Sequence, residues 1–138
     1  MLFPARTLLF TWLAGTAIAS AQCPVDTVIV KGRVENSTRD SKVRVQLMFA
    51  NDQPGPSAET APQDGTFRLP IEFLTQSTRP LLTNLKPKCD RRPISVVIRW
   101  LAGDQEIASL TLDFKRDFKM TDFSAYMPQS DIVLKASR

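Results

Sequence analysis

The sequence predicts an all-β fold: a single-domain antiparallel β-sandwich of about seven strands, held by one disulfide. Three observations carry this expectation. Apolar residues recur at every second position in several separate stretches, turn-forming residues interrupt those stretches about every 8 to 15 residues, and two cysteines follow an export signal in a chain of 138 residues. A period of two marks strands with one buried face, and short alternating strands between frequent turns suit a sandwich.

Residues 1–21 read as a signal peptide. Arg6 supplies the positive n-region, an apolar run follows from Leu8, and Ala19-Ser20-Ala21 forms a small-x-small cleavage site before Gln22. A lipoprotein signal is the competitor, but Gln22 stands before Cys23 where a lipobox needs Gly or Ala. No later stretch nears the roughly 18 apolar residues of a membrane span, so the expectation is a secreted, extracellular protein without a membrane anchor. The mature domain would run from residue 22 to 138, one domain in size. Cys23 and Cys89 have one possible pairing, and an exported chain meets an oxidising compartment.

The strands follow in order. Val28, Val30, Gly32 and Val34 alternate with Ile29, Lys31, Arg33 and Glu35. Val43, Val45, Leu47 and Phe49 alternate with Lys42, Arg44, Gln46 and Met48, and Phe67, Leu69, Ile71 and Phe73 repeat the pattern. Ile94 to Leu101 is apolar on both faces, which suits a central strand, and it leads through Gly103-Asp104 into Ile107 to Phe114 as a hairpin whose Leu110 and Leu112 are expected to be mostly buried. Ile132 to Lys135 is expected to form a last strand, and Pro80 to Leu85 another, which Pro80 confines to a sheet edge or to a strand start. Between them, the proline-rich Asn51 to Gly65 reads as a surface loop, and Phe118 to Met127 as a loop with a helical turn capped by Asp122.

Three of these motifs together resemble a known family. The strand Val30-Lys-Gly-Arg-Val-Glu-Asn36, the Val-x-Val-x-Leu strand from Val43 to Leu47, and Asp64-Gly-Thr-Phe-Arg-Leu69 are similar to the opening of transthyretin-like or carboxypeptidase-regulatory-like domains. A cysteine in the later loop, here Cys89, is similar to secreted transthyretin-like proteins. The resemblance implies a β-sandwich and little about function.

Chemistry is constrained more by what is missing. The chain contains no histidine, which removes Ser-His-Asp and Cys-His nucleophile systems and the usual zinc and copper ligand. The histidine-using hydrolase branch of the transthyretin relatives is excluded for the same reason. The five glycines are scattered, and no D-x-D-x-D-G calcium loop occurs. Acid pairs remain, Asp113 with Asp117 and Asp64 with Glu72, but their basic neighbours mark them as surface residues. The expectation is a non-enzymatic protein without a cofactor or metal.

Binding is what remains. Without Arg6 the mature chain holds 17 cations against 14 acids, and the densest cluster is Lys86, Lys88, Arg91 and Arg92 around Cys89. No aromatics interleave with these cations, so nucleic acid is not the expected partner. A second candidate is an aromatic loop with Phe118, Phe123 and Tyr126. Asn36-Ser37-Thr38 is an acceptor sequence for glycosylation. Small size, export, a single disulfide and sparse motifs resemble secreted effectors of plant-associated fungi, so the expected function is virulence-type binding to a protein partner, such as a host protein. The alternative is an extracellular carbohydrate- or lipid-binding sandwich, which would show a platform of exposed aromatics. The oligomeric state is not readable from the sequence.

Overall fold

The computed structural model describes residues 23–36, 40–77, 88–121 and 124–136. The expected signal peptide, the strand expected from Pro80 to Leu85, the expected Asp122 cap, Lys86 and Phe123 lie outside the described residues. Within them the fold is an all-β sandwich of two packed sheets. One sheet has the order β3-β2-β5-β6, formed by Gln53–Thr60, Ser41–Phe49, Ser95–Ala102 and Gln105–Asp113. The other contains β4 (Thr66–Leu74), β1 (Val25–Val34), β8 (Ala125–Pro128) and β7 (Phe118–Met120), with β9 (Ile132–Leu134) also on β1.

The expected phases of β1, β2 and β4 are those of the structure. Val28, Val30, Val43, Val45, Leu47, Phe67, Leu69, Ile71 and Phe73 are buried together with Val96, Ile98 and Trp100. Each such side chain contributes about 1.5–3 kcal/mol when it leaves water. The pattern works because the inward faces of the two sheets pack on each other, and most of the polar alternates remain in or near solvent. β5 is central and buried on its inner face, as its apolar run predicts. Two residues, Gly103 and Asp104, join Ala102 to its pair Gln105, and Gly103 has φ 59°, which a glycine adopts at little cost.

Four expectations change. Asn51 to Gly65 is not one long loop, because Gln53–Thr60 forms β3 at the edge of the sheet. Pro54 and Pro56 hide this strand from a pattern reading, yet they are tolerated where one side of the strand has no partner. The Phe118 to Met127 segment is not a helical loop. The helical turn comes earlier, at α1 (Phe114–Asp117), and β7 and β8 follow as a hairpin. The sandwich is not wholly antiparallel, because β8 and β9 both run parallel to β1. Leu110 and Leu112 face inward but are only half-buried, because β6 is an edge strand without full cover from the opposite sheet.

β1 is therefore the organising strand. β4 pairs along its whole length on one side, from Val25↔Leu74 to Arg33↔Thr66. On the other side β8 takes Thr27 and Val28, and β9 takes Gly32 to Val34. Gly32 is required at that second junction: a Cβ there would collide with the Ile132 backbone oxygen and lie 2.9 Å from the Phe67 ring.

Candidate functional site

The basic segment is built on the disulfide. Cys23, buried at the start of β1, is bonded to Cys89, whose Cα lies 5.2 Å away across a sequence separation of 66. Hydrogen bonds fix the backbone on both sides of Cys89. Ser77 donates from its backbone N–H and from its hydroxyl to the Lys88 carbonyl, at 3.0 and 3.1 Å. Arg91 donates its N–H to the Thr75 carbonyl at 2.8 Å, and the Thr75 hydroxyl donates to the Pro24 carbonyl at 2.8 Å. Residues 75–77 and 88–91 thus run alongside each other and are tied to the N-terminal end of β1. Pro93 is buried, and the Ile94 N–H then donates to the Met48 carbonyl at 2.7 Å, which leads the segment into β5.

The cations of this segment have different roles. Lys88 and Arg92 are exposed and form no ion pair among the described residues. Arg91 is half-buried, with its guanidinium 3.6 Å from the centre of the Phe49 ring. It spends its charge on a π face at the end of the core. Asp90 is exposed between them, so Lys88 and Arg92 are the cations offered to solvent.

The aromatic candidates are placed otherwise than the sequence suggested. Phe118 and Tyr126 are 4% and 6% exposed and belong to the core. Phe114 is the centre of this group: its ring lies 4.7 Å from that of Tyr126, 5.6 Å from the stacked Phe118, and 6.4 Å from Phe73. Phe73 meets Phe49 edge-on at 6.2 Å. Arg91, Phe49, Phe73, Phe114 and Phe118 therefore form one continuous chain of contacts that closes this end of the sandwich. Phe118 and Tyr126 are not surface contact residues, because β7 and β8 pair and turn both rings inward. Every aromatic among the described residues is buried, so none of them supplies a stacking platform.

The acid pair near α1 is structural. Asp113 caps the helical turn by accepting from the Arg116 N–H at 2.8 Å, and Asp117 accepts from the Asp113 N–H at 2.8 Å. The hydrogen bonds from Arg116 hold the Asp117 carboxyl below the usual carboxylate range. Among the described residues no group of three or more Cys, Asp or Glu side chains is placed to hold a metal ion. Asn36 is exposed, with φ 59° in the turn after β1, while Ser37 and Thr38 lie outside the described residues.

No family model, no curated protein and no solved structure matches this chain.

Proposed function

We propose that this protein is an exported, non-enzymatic binding protein that acts by contact with an acidic protein partner, such as a host protein or another extracellular protein. One observation carries the reading. Lys88 and Arg92 are exposed, without an ion pair among the described residues, on a backbone fixed by the disulfide and by the hydrogen bonds to Ser77 and Thr75. Charges held in place lose little entropy on binding, and cations on a rigid rim steer an acidic partner and set its orientation. Lys86 extends the same charge by sequence.

The signal-like residues 1–21 and the transthyretin-like motifs support the exported sandwich part of this reading. The Cys23–Cys89 bond supports it too, since such bonds persist in oxidising compartments. No described helix is long and apolar enough to cross a membrane.

The test compares the wild-type protein with the double variant Lys88→Glu, Arg92→Glu as baits in crosslinking and mass spectrometry against a host extract and culture medium. Arg91 is left intact because it packs on Phe49. The expected result is a partner captured by the wild type, with affinity that falls as salt rises, and lost by the double variant at unchanged thermal stability. Equal capture by both proteins would overturn the reading.

A further inference from the structure

At the opposite end of β1 from the disulfide, a cleft of 670 Å³ opens between the ends of β1 and β4 and the Thr60 to Gln63 segment that leads in from β3. Lys31 and Arg33 from β1 and Arg68 from β4 line it, with Gln63, Thr66 and Asp131. Lys31 and Arg68 are register partners across the β1–β4 ladder, and Arg33 lies two residues further on the same face. Two cations set directly opposite each other on one face of a sheet repel, and the pairing destabilises the sheet.

The other sheet shows how the protein neutralises such a clash. There Arg44 and Arg99 are also register partners, but Arg44 binds Glu59 on β3 at 2.6 Å. No comparable acid serves Lys31, Arg33 or Arg68, which form no ion pair among the described residues. Glu35, next along the face from Arg33, is engaged by Lys135 at 3.8 Å. Asp131 lines the cleft and pairs with none of the three. The cleft therefore keeps a surplus of positive charge.

Its walls are also fixed in place. Asp64 and Gly65 have φ 52° and 74° in a tight turn, closed by paired backbone hydrogen bonds between Gln63 and Thr66 at 2.8 and 2.9 Å. The Thr66 hydroxyl donates to the Gln63 carbonyl, and the Gly65 carbonyl accepts from the Val34 N–H at 2.7 Å. Gly32, Phe67 and Ile132 also line it, and Phe67 and Ile132 are anchored in the core.

We propose that this cleft is an anion-binding site for a compact oxyanion of two or more negative charges, carried on a phosphate or sulfate group. Two arginines offer planar forks and a lysine a point charge, the combination that suits multiply charged oxygens better than a halide. The bound anion supplies the counter-charge that Glu59 supplies on the other sheet. This site is separate from the basic segment around Cys89, so either can fail without the other.

The test titrates inorganic pyrophosphate and inorganic sulfate in parallel into the full mature protein at constant ionic strength, with chloride as reference, by calorimetry and thermal unfolding. Wild-type protein should bind at least one of them and melt at a rising temperature as the anion is raised. Lys31→Gln and Arg68→Gln, made separately, should each weaken binding by about tenfold or more, because each removes a charge-assisted contact. Each should also melt above the wild type in chloride alone, since the repulsion is gone. Arg99→Gln, on the other sheet, should leave the anion response unchanged. The stronger anion of the two assigns the site to phosphate-bearing or sulfate-bearing ligands. A stabilisation equal to that by chloride, or a response retained in both cleft variants, would overturn the proposal.

Discussion

Arg91 lies face-on above Phe49, its guanidinium carbon 3.6 Å from the ring centre. This places one cation of the basic segment in the core's closing contact, while its neighbours Lys88 and Arg92 stay in solvent. The segment is thus held to the sandwich by a disulfide, by backbone hydrogen bonds and by a cation–π contact.

Arg91 and Arg92 should therefore separate experimentally. Arg91→Ala should lower stability by about 1 kcal/mol, the scale of a partly shielded cation–π contact. Arg92→Ala should change it by less than about 0.5 kcal/mol. Urea denaturation of the two variants measures the difference, and equal losses would contradict the placement of Arg91.

Opening the disulfide should cost more. The Cys23–Cys89 bond closes a loop with a separation of 66, for which loop-closure entropy gives about 4 kcal/mol. The double variant Cys23→Ala, Cys89→Ala should lower the unfolding free energy by that order in reversible denaturation.

How far such residues could be read from the sequence depends on what buried them. Val28, Val45, Leu47, Phe67 and Leu69 sit on strands with one face fully covered, so local period and final burial coincide. Leu110 and Leu112 have the same alternation, but alternation reports the face and not whether the facing sheet reaches it. β3 carries Pro54 and Pro56 and is held by its backbone pairing to β2, so it has no alternating apolar signature. Phe118 and Tyr126 are eight residues apart on strands of three and four residues, too short to show a period. Their burial comes from pairing with each other's strand and, through β8, with β1, roughly a hundred positions earlier. The cleft depends on the Lys31↔Arg68 register, which exists only once β1 and β4 are paired. The basic segment was visible as composition, whereas the division of labour between Arg91 and Arg92 is a tertiary fact.

Gly32→Ala should destabilise the protein by about 1–3 kcal/mol, the usual cost of overpacking. The added methyl group meets Ile132 backbone, which cannot rotate aside as a side chain could. Hydrogen exchange should show the loss concentrated in β9 and in the Gly32 to Val34 part of β1. Gly103→Ala makes an informative contrast, because a Cβ there meets nothing within 4 Å and only the φ of 59° resists it.

The Tyr126 hydroxyl is buried and has no hydrogen-bond partner among the described residues, so its desolvation is uncompensated there. Tyr126→Phe keeps the ring against Phe114 and removes that penalty, and it should raise stability by about 1 kcal/mol. A thermal midpoint below that of the wild type would show that the hydroxyl contributes to the fold.

The pairing of Asp117 with Arg116 adds a pH dependence with a defined sign. The carboxyl's folded pKa lies below its value in the unfolded chain, so its contribution is complete above the unfolded pKa of about 4. That contribution is lost as pH falls through the folded pKa. Asp117→Asn should flatten the acid limb of the stability profile by lowering stability slightly at neutral pH and leaving it unchanged at the acid end, where the wild type has already lost the contribution, as followed by circular dichroism.

The placement of β1 sets an order of events in biosynthesis. This strand is made early, yet one of its edges stays open until residues 125–134 exist to cover it. At about 5–20 residues per second, the hundred positions between Gly32 and Ile132 take roughly 5–20 s to synthesise. Throughout that interval the nascent chain exposes an apolar strand with an unpaired edge, the form most prone to pair with a neighbouring chain. Chaperone dependence during production should therefore track the time between emergence of β1 and emergence of β9, and slowing translation in the last third should lower the yield of folded protein.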